Sequence, residues 1–268
     1  MIDKEKVIQW YPGHMAAAMR EIERRASLID IFIEVIDARI VRAGCNPDLA
    51  QIVGRKPRLV VLTRDDLADS AITKQWVEWF PLHRNRAVAV NARDPNSYAQ
   101  ASFFLTQMLG ASRTRGVARA MVVGIPNAGK SAVINGLLRR SVAKVEDKPG
   151  VTRAPQWFRV GPNLEMMDTP GILVPKIESL QAQWQLAICG AIPNDKFSPE
   201  NIVHSFVDWM QNNRGRTVPD LEGFATIRRM LRTGGELELH NAALAYIKDY
   251  NEGKFGRVSF DSPSADPA

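Results

Sequence analysis

Cysteine is scarce: Cys45 and Cys189 are the only two in 268 residues. Two thiols so far apart support neither a disulfide framework nor a zinc cluster, and they fit a reducing compartment. No apolar run approaches the roughly 18 residues that a membrane-spanning helix needs. The opening Met1-Ile2-Asp3-Lys4-Glu5-Lys6 mixes charges without an apolar stretch behind it, so a secretory signal is not expected. Neither an internal repeat nor a lipidation motif is found. Acidic residues are outnumbered, 29 against 35 basic, which leaves a net charge of +6. That balance suits a polyanion such as RNA or an acidic membrane face, although any soluble basic protein shares it. A hydrophobic fraction of 45% builds an ordinary core, and the length fits one larger and one smaller domain.

What the chain does have is Gly124-Ile-Pro-Asn-Ala-Gly-Lys-Ser131, a complete phosphate-binding loop near its midpoint. The spacing lets Gly124 and Gly129 turn the backbone so that N–H groups point at a phosphate chain. Lys130 then reaches the terminal phosphates and Ser131 serves Mg²⁺. An apolar strand, 119–123, precedes the loop, and a helix over 131–138 follows, with its N-terminal dipole favouring an anion. Upstream, a helix is expected over 15–28 from the recurrence of Met15, Met19, Ile22 and Ala26. Strands at 29–36, 58–62 and 86–90 alternate with helix-like segments 71–80 and 96–109, the pattern of an α/β sheet. Residues 111–118 form a basic connector. Strands are expected at 157–160 and 164–167, and from about residue 178 the texture becomes helical. There Ile202, Phe206, Trp209 and Met210 make one apolar stripe and Leu221, Phe224, Ile227 and Leu231 another, both assigned to the core. The division is therefore 1–177, 178–261 and a disordered tail, 262–268.

Asp168-Thr-Pro-Gly171 follows an apolar strand at the distance from the phosphate loop that a phosphate-sensing switch requires. Asp168 can hold a water of the Mg²⁺ shell, and the Gly171 N–H can meet a γ-phosphate and release it after hydrolysis. Thr152, between the two motifs, is the candidate switch threonine for Mg²⁺ and the γ-phosphate; a surface threonine after a Pro-Gly turn is the alternative. Guanine is selected by a carboxylate that accepts both N–H groups of its base edge, which adenine leaves unpaired. Asp66, just after the 58–62 strand, fits that role. Arg64 lays its stem along the ring, Thr63 braces the loop, and Asn91-Ala92 offers the Ala92 N–H to the base oxygen. These signals precede the phosphate loop, where an unpermuted GTPase places them after Asp-x-x-Gly; Asn194-Asp195-Lys196, in that later region, follows no strand.

With Trp10-Tyr-Pro-Gly-His-Met15, Asp37-Ala-Arg39, Pro149 to Thr152, Asp168 to Ile172 and Gly253-Lys-Phe-Gly-Arg257, the chain resembles the circularly permuted GTPases of the RbgA/YlqF ribosome-assembly family. The resemblance implies an α/β P-loop NTPase, a circularly permuted Ras-like GTPase, with a smaller C-terminal all-helical domain. It implies GTP hydrolysis coupled to maturation of the large ribosomal subunit, with the helical domain contacting rRNA. The GTP-binding set is then Thr63, Arg64, Asp66, Asn91 and Ala92 together with Pro126, Asn127, Ala128, Gly129, Lys130, Ser131, Ala132, Thr152, Asp168 and Gly171. Mg²⁺ falls to Ser131, Thr152 and Asp168; catalysis falls to Lys130, Thr152, Gly171 and His14. His14 is implied by the resemblance alone, since Ile172 occupies the place where Ras-like enzymes carry a water-orienting glutamine; a lone histidine otherwise reads as a packed or exposed imidazole. Asn127 is a K⁺ candidate or a loop-stabilising residue. One departure stands out: the family shows Asn-Lys-x-Asp where this chain has Thr63-Arg64-Asp65-Asp66. A monomer, without a membrane span, is expected in the cytoplasm, or in an organellar matrix or at a membrane periphery in a eukaryote. A nucleotide-switched RNA-binding module with little turnover and a membrane-associated signalling G protein are the competing readings. Because the Asp-x-x-Gly switch leads straight into the helices, γ-phosphate contact at Gly171 is expected to shift them. Arg113, Arg115, Arg119, Arg139, Arg140, Lys144, Arg228, Arg229, Arg232, Lys248, Lys254 and Arg257 are candidate phosphate contacts, each also readable as a solvated surface charge.

Overall fold

The computed structural model describes residues 10–83, 85–111, 116–139, 143, 155–177 and 179–263. Pro12 begins the first helix, α1 (Gly13–Ala26), which buries Met15, Ala18, Met19 and Ile22; its start lies two residues before the expected one because Pro12 fixes the turn that enters it. Strand β1 (Ile31–Asp37) is buried at all seven positions, as a central parallel strand should be. Its one interior charge, Glu34, meets Arg58 Nη1 at 2.8 Å; burial raises the Glu34 pKa and Arg58 opposes that rise. Two short helices follow, α2 (Val41–Gly44) and α3 (Pro47–Val53). Then come β2 (Arg58–Thr63), α4 (Ser70–Leu82), β3 (Arg86–Ala89), a 3-10 turn (Pro95–Tyr98) and α5 (Ala99–Ala111). The phosphate-loop unit is β4 (Ala118–Val123) and α6 (Lys130–Leu138), followed by β5 (Gln156–Val160) and β6 (Leu164–Asp168).

The six strands make one sheet in the order β3-β2-β1-β4-β6-β5. All neighbouring pairs are parallel except β5 with β6. The strand order reverses between β1 and β4, and the carboxyl ends of β1, β2, β4 and β6 meet beside that reversal, where open α/β sheets bind ligands. The expected strands and helices are present, with ends displaced by up to three residues; the largest shift is at α5, whose expected first turn is the 3-10 turn Pro95–Tyr98.

The remaining helices are α7 (Leu180–Ile188), α8 (Pro199–Arg214), α9 (Leu221–Ile227) and α10 (Leu239–Asn251). Asn194-Asp195-Lys196 forms a 3-10 turn and follows no strand. Ile202, Phe206 and Met210 are buried, and the half-buried Trp209 packs on Phe260. The second stripe is only half core. Leu221 and Phe224 are buried, but Ile227 and Leu231 are 75% and 55% exposed, because α9 ends at Ile227 and Leu231 enters a β-bridge with Leu237. One apolar cluster runs from the sheet into these helices. After α10 the chain returns to the sheet: Phe260 N donates to the Arg39 carbonyl at 2.8 Å. Within the segment expected to be disordered, the Ser262 and Pro263 carbonyls accept from Arg42 Nη2. Residues 264–268 lie outside the described ones.

Candidate functional site

The loop between β4 and α6 is shaped by three residues with positive φ: Gly124 at 149°, Asn127 at 57° and Gly129 at 91°. At Gly124 a Cβ would lie 2.2 Å from the Val35 carbonyl oxygen, so no side chain fits where the loop crosses β1. Asparagine tolerates the left-handed region better than most residues, which accounts for Asn127. Lys130 is folded over the loop, its Nζ donating to Ile125 O at 2.8 Å and Gly124 O at 3.3 Å. Burial pulls its pKa down to about 8, with Asp168 acting in the opposite sense. The ammonium is held by two carbonyls of the loop itself, and a phosphate is the anion this loop can cradle. Pro126, Ala128 and Ala132 all lie on this loop or on the first turn of α6, with Ala128 buried.

Ser131 Oγ donates to Asp168 Oδ2 at 2.9 Å, joining the end of the loop to the end of β6. A hydroxyl and a carboxylate oxygen are the hard donors that Mg²⁺ prefers, so this pair fits that ion. Thr169 Oγ1 anchors the switch to Val122 O at 2.7 Å. Gly171 lies against the loop so closely that a Cβ would meet Pro126 Cα at 2.4 Å. Ile172 is fully buried, donates its N–H to Gly124 O at 3.2 Å, and presents no polar side-chain atom.

The segment after β2 comes to the same place from the other side of β1. Thr63 Oγ1 donates to Ala128 O at 2.7 Å, so the end of β2 is bonded directly to the phosphate loop. Arg64 sits at φ 57°, its Nε 3.5 Å from Asp37 Oδ2 and its Nη2 donating to Asn127 Oδ1 at 3.5 Å. The Asp66 carboxylate lies 3.5 Å from Arg93 Nη1. Asn91 closes the neighbouring turn by accepting from Arg93 N at 2.8 Å, with Ala92 exposed between them.

A family model described as a 50S ribosome-binding GTPase matches residues 119–206. Ribosome biogenesis GTPase A of Bacillus licheniformis is 37% identical over 279 residues, covering 96% of this chain and 99% of the relative. The protein of the same name from Thermotoga maritima is 31% identical over 261 residues, covering 96% and 95%. The chain belongs to the ribosome biogenesis GTPase A family. A solved structure of GNP-bound YlqF from Thermotoga maritima superposes with a TM-score of 0.70 at 28% identity, covering 92% of this chain and 98% of that one. The chain is a GTPase with the P-loop α/β fold of that family, and the permutation explains how residues from β2 reach a loop that follows β4.

Two of the residues expected from the family resemblance are not brought into this cluster by described contacts. His14 is exposed on the first turn of α1, its ring edge-on to Trp10 at 6.5 Å. Thr152 lies outside the described residues, as do Arg113, Arg115, Arg140 and Lys144. Several of the other basic candidates are spent on local partners: Arg119 on Glu165, Arg228 on Asp249, Arg232 on Glu238, and Lys254 on Asp249 and Glu252. Sequence reasoning missed residues that bind this GTPase site together. Asn46 accepts from Asp48 N at 3.0 Å as the cap of α3 and extends its Nδ2 to Ile172 O at 3.5 Å. Its Asn-Pro start was the available signal. Gly190, after α7, gives way to Asn127, whose Nδ2 would lie 2.8 Å from a Cβ there. Nothing local in the sequence marks that contact. Among the described residues no helix is long and apolar enough to cross a membrane.

Proposed function

We propose that GTP hydrolysis by this chain drives a step in maturation of the large ribosomal subunit, with the helices from Leu180 onward contacting rRNA. The Thr63-to-Ala128 hydrogen bond supports the reading most: it ties the end of β2, from which the proposed purine-selecting loop continues, to the phosphate loop, although the chain presents the two in reversed order. In that pocket Asp66 accepts the guanine N–H groups, Arg64 covers the ring and the Ala92 N–H meets the base oxygen. The backbone from Pro126 to Ala132 holds the phosphates, and Lys130 exchanges its two carbonyl partners for phosphate oxygens. Ser131 and Asp168, with Thr152, are the residues that would hold Mg²⁺, which when bound neutralises charge on the β- and γ-phosphates. Gly171 offers its N–H to the γ-phosphate. His14, within the Pro12-Gly13 bend, moves to the attacking water, because Ile172 presents only hydrocarbon. K⁺ at Asn127 requires Arg64 to withdraw from its Oδ1, so the two cations compete for one oxygen; equal hydrolysis rates in KCl and NaCl would remove potassium from the mechanism.

The homologues named for ribosome biogenesis and the net charge of +6 support an rRNA-containing partner; a monomer acting in the cytoplasm is part of the same proposal. Phosphate release from GTP and from ATP, with and without large-subunit precursors, tests the whole reading. Release from GTP alone, accelerated by the precursors, is expected; indifference to them would leave a GTPase with another partner. His14→Ala should lower the accelerated rate and leave GTP binding unchanged. Loss of γ-phosphate contact at Gly171 should reorient the helices, and distance labels reporting one orientation with both GDP and a GTP analogue would refute that coupling.

A further inference from the structure

After α10 the chain does not simply end. Residues 257–261 return from the helices and lie along the segment that carries Asp66, bonding to it in succession. Arg257 Nε donates to the Asp66 carbonyl at 3.2 Å. Val258 N donates to Leu67 O at 2.9 Å. Ser259 Oγ accepts from Asp69 N at 3.0 Å and reaches Ala38 O at 3.4 Å. The turn after α10 adds a packing contact: a Cβ on Gly253, itself at φ 83°, would stand 2.8 Å from Leu67 Cδ2. The strap is gripped from the other side by the helices. Arg214 Nη2 donates to Ser259 O, Arg216 Nη2 donates to Phe255 O at 2.9 Å, and the Phe260 ring stands edge-on to Trp184 at 5.0 Å and to Trp209 at 4.8 Å.

The need for such a brace is visible in the loop itself. Arg64 occupies the left-handed region, where a branched or long side chain costs about 1 kcal/mol or more and persists only when its surroundings fix it. Upstream, Thr63 and Arg64 are held by Ala128, Asp37 and Asn127. Downstream of Asp66, the strap supplies these three main-chain ties. We propose that Arg257 and Ser259 are positioning residues for guanine selection: they set the Asp66 carbonyl and the backbone that follows it so that its carboxylate meets the 2-amino group of the base. This rests on the reading of Asp66 as the guanine acceptor. It also makes the helices, through Arg214 and Phe260, part of the base-reading apparatus.

Calorimetric titration of the full chain with GDP and with inosine diphosphate, which lacks the 2-amino group, tests it. The unmodified protein should prefer GDP. In Arg257→Ala, Ser259→Ala and the double variant, that preference should fall, by roughly tenfold in the double variant as both side-chain hydrogen bonds to the segment at and after Asp66 are lost, while affinity for inosine diphosphate changes less than about twofold. A merely structural role would weaken both nucleotides equally, and an unchanged ratio overturns the inference whatever happens to the absolute affinities. Arg257 is exposed, so Arg257→Ala decides the matter if circular dichroism shows that Ser259 variants lose their fold. If the unmodified protein shows no preference for GDP, the reading of Asp66 fails first, and the two failures are told apart.

Discussion

Lys130 meets the cradle as a buried amine on two backbone carbonyls. In the fold it is buried with a pKa lowered to about 8 from 10.5. Below pH 8 both folded and unfolded chains carry the proton, and the folded one carries the desolvation cost. Between about 8 and 10.5 the folded lysine has already shed its proton while the unfolded one retains it, so stability rises with pH across that window. A bound diphosphate restores the ammonium, so nucleotide binding at pH 8 should take up about half a proton through Lys130. Calorimetry in buffers of different ionisation enthalpy reads that number, and it should vanish at pH 6.5. At this scale the motifs located residues in the fold: Lys130, Ser131, Asp168 and Asp66 all stand at, or just beyond, the carboxyl ends of β2, β4 and β6. The sequence was silent on Asn46, Gly190 and Ser259, whose roles depend on partners far along the chain.

Among the elements, α6 shows how a helix behind the phosphate loop is seated by contact more than by propensity. Gly136 lies inside it, where alanine would be favoured by about 1 kcal/mol. A Cβ there would stand 2.3 Å from Cζ of Tyr98, whose hydroxyl donates to Ala132 O at 3.4 Å. Overpacking of this kind typically costs 1–3 kcal/mol. Gly136→Ala should therefore lower the urea midpoint and weaken GDP binding, and Tyr98→Ala in the same chain should recover part of the loss. A more stable single variant would show that propensity governs the helix. Strands and long helices were legible because β-branched runs and helical spacing of apolar residues report burial directly, as in β1. The errors fell where tertiary contact decides: Ile227 and Leu231 continue the apolar spacing of α9 but point away from the core, and α2 and α3 are too short to leave a periodic signature.

For the whole molecule, the join between sheet and helices is made by a charged pair in the core. Arg39 is fully buried, its Nε and Nη2 donating to both Asp37 oxygens at 2.9 and 2.7 Å, with Nη2 reaching Asn251 Oδ1 at 3.1 Å and the guanidinium 4.9 Å from the Tyr250 ring centroid. Burial alone would raise the Asp37 pKa, but the charge and hydrogen bonds of Arg39 outweigh it and hold the carboxyl below its usual range. Removing Arg39 leaves that buried charge only the more distant Arg64, so Arg39→Ala should cost about 3–5 kcal/mol in denaturant unfolding; a loss under about 1 kcal/mol would mean the pair does not bind the two parts. Asp37 also faces Arg64, so the same carboxylate touches the loop after β2 and the helical join. The permuted order thus places Asp66, the phosphate loop and the helices in one connected body, and we propose that this aspartate from the first half of the chain reads the base held by a loop from the middle. Asp66→Asn tests this most directly, because the amide offers a donor where xanthine carries a carbonyl in place of the guanine amino group. Titration of the variant should show GDP binding largely lost and xanthosine diphosphate binding gained; undiminished GDP binding would contradict the account.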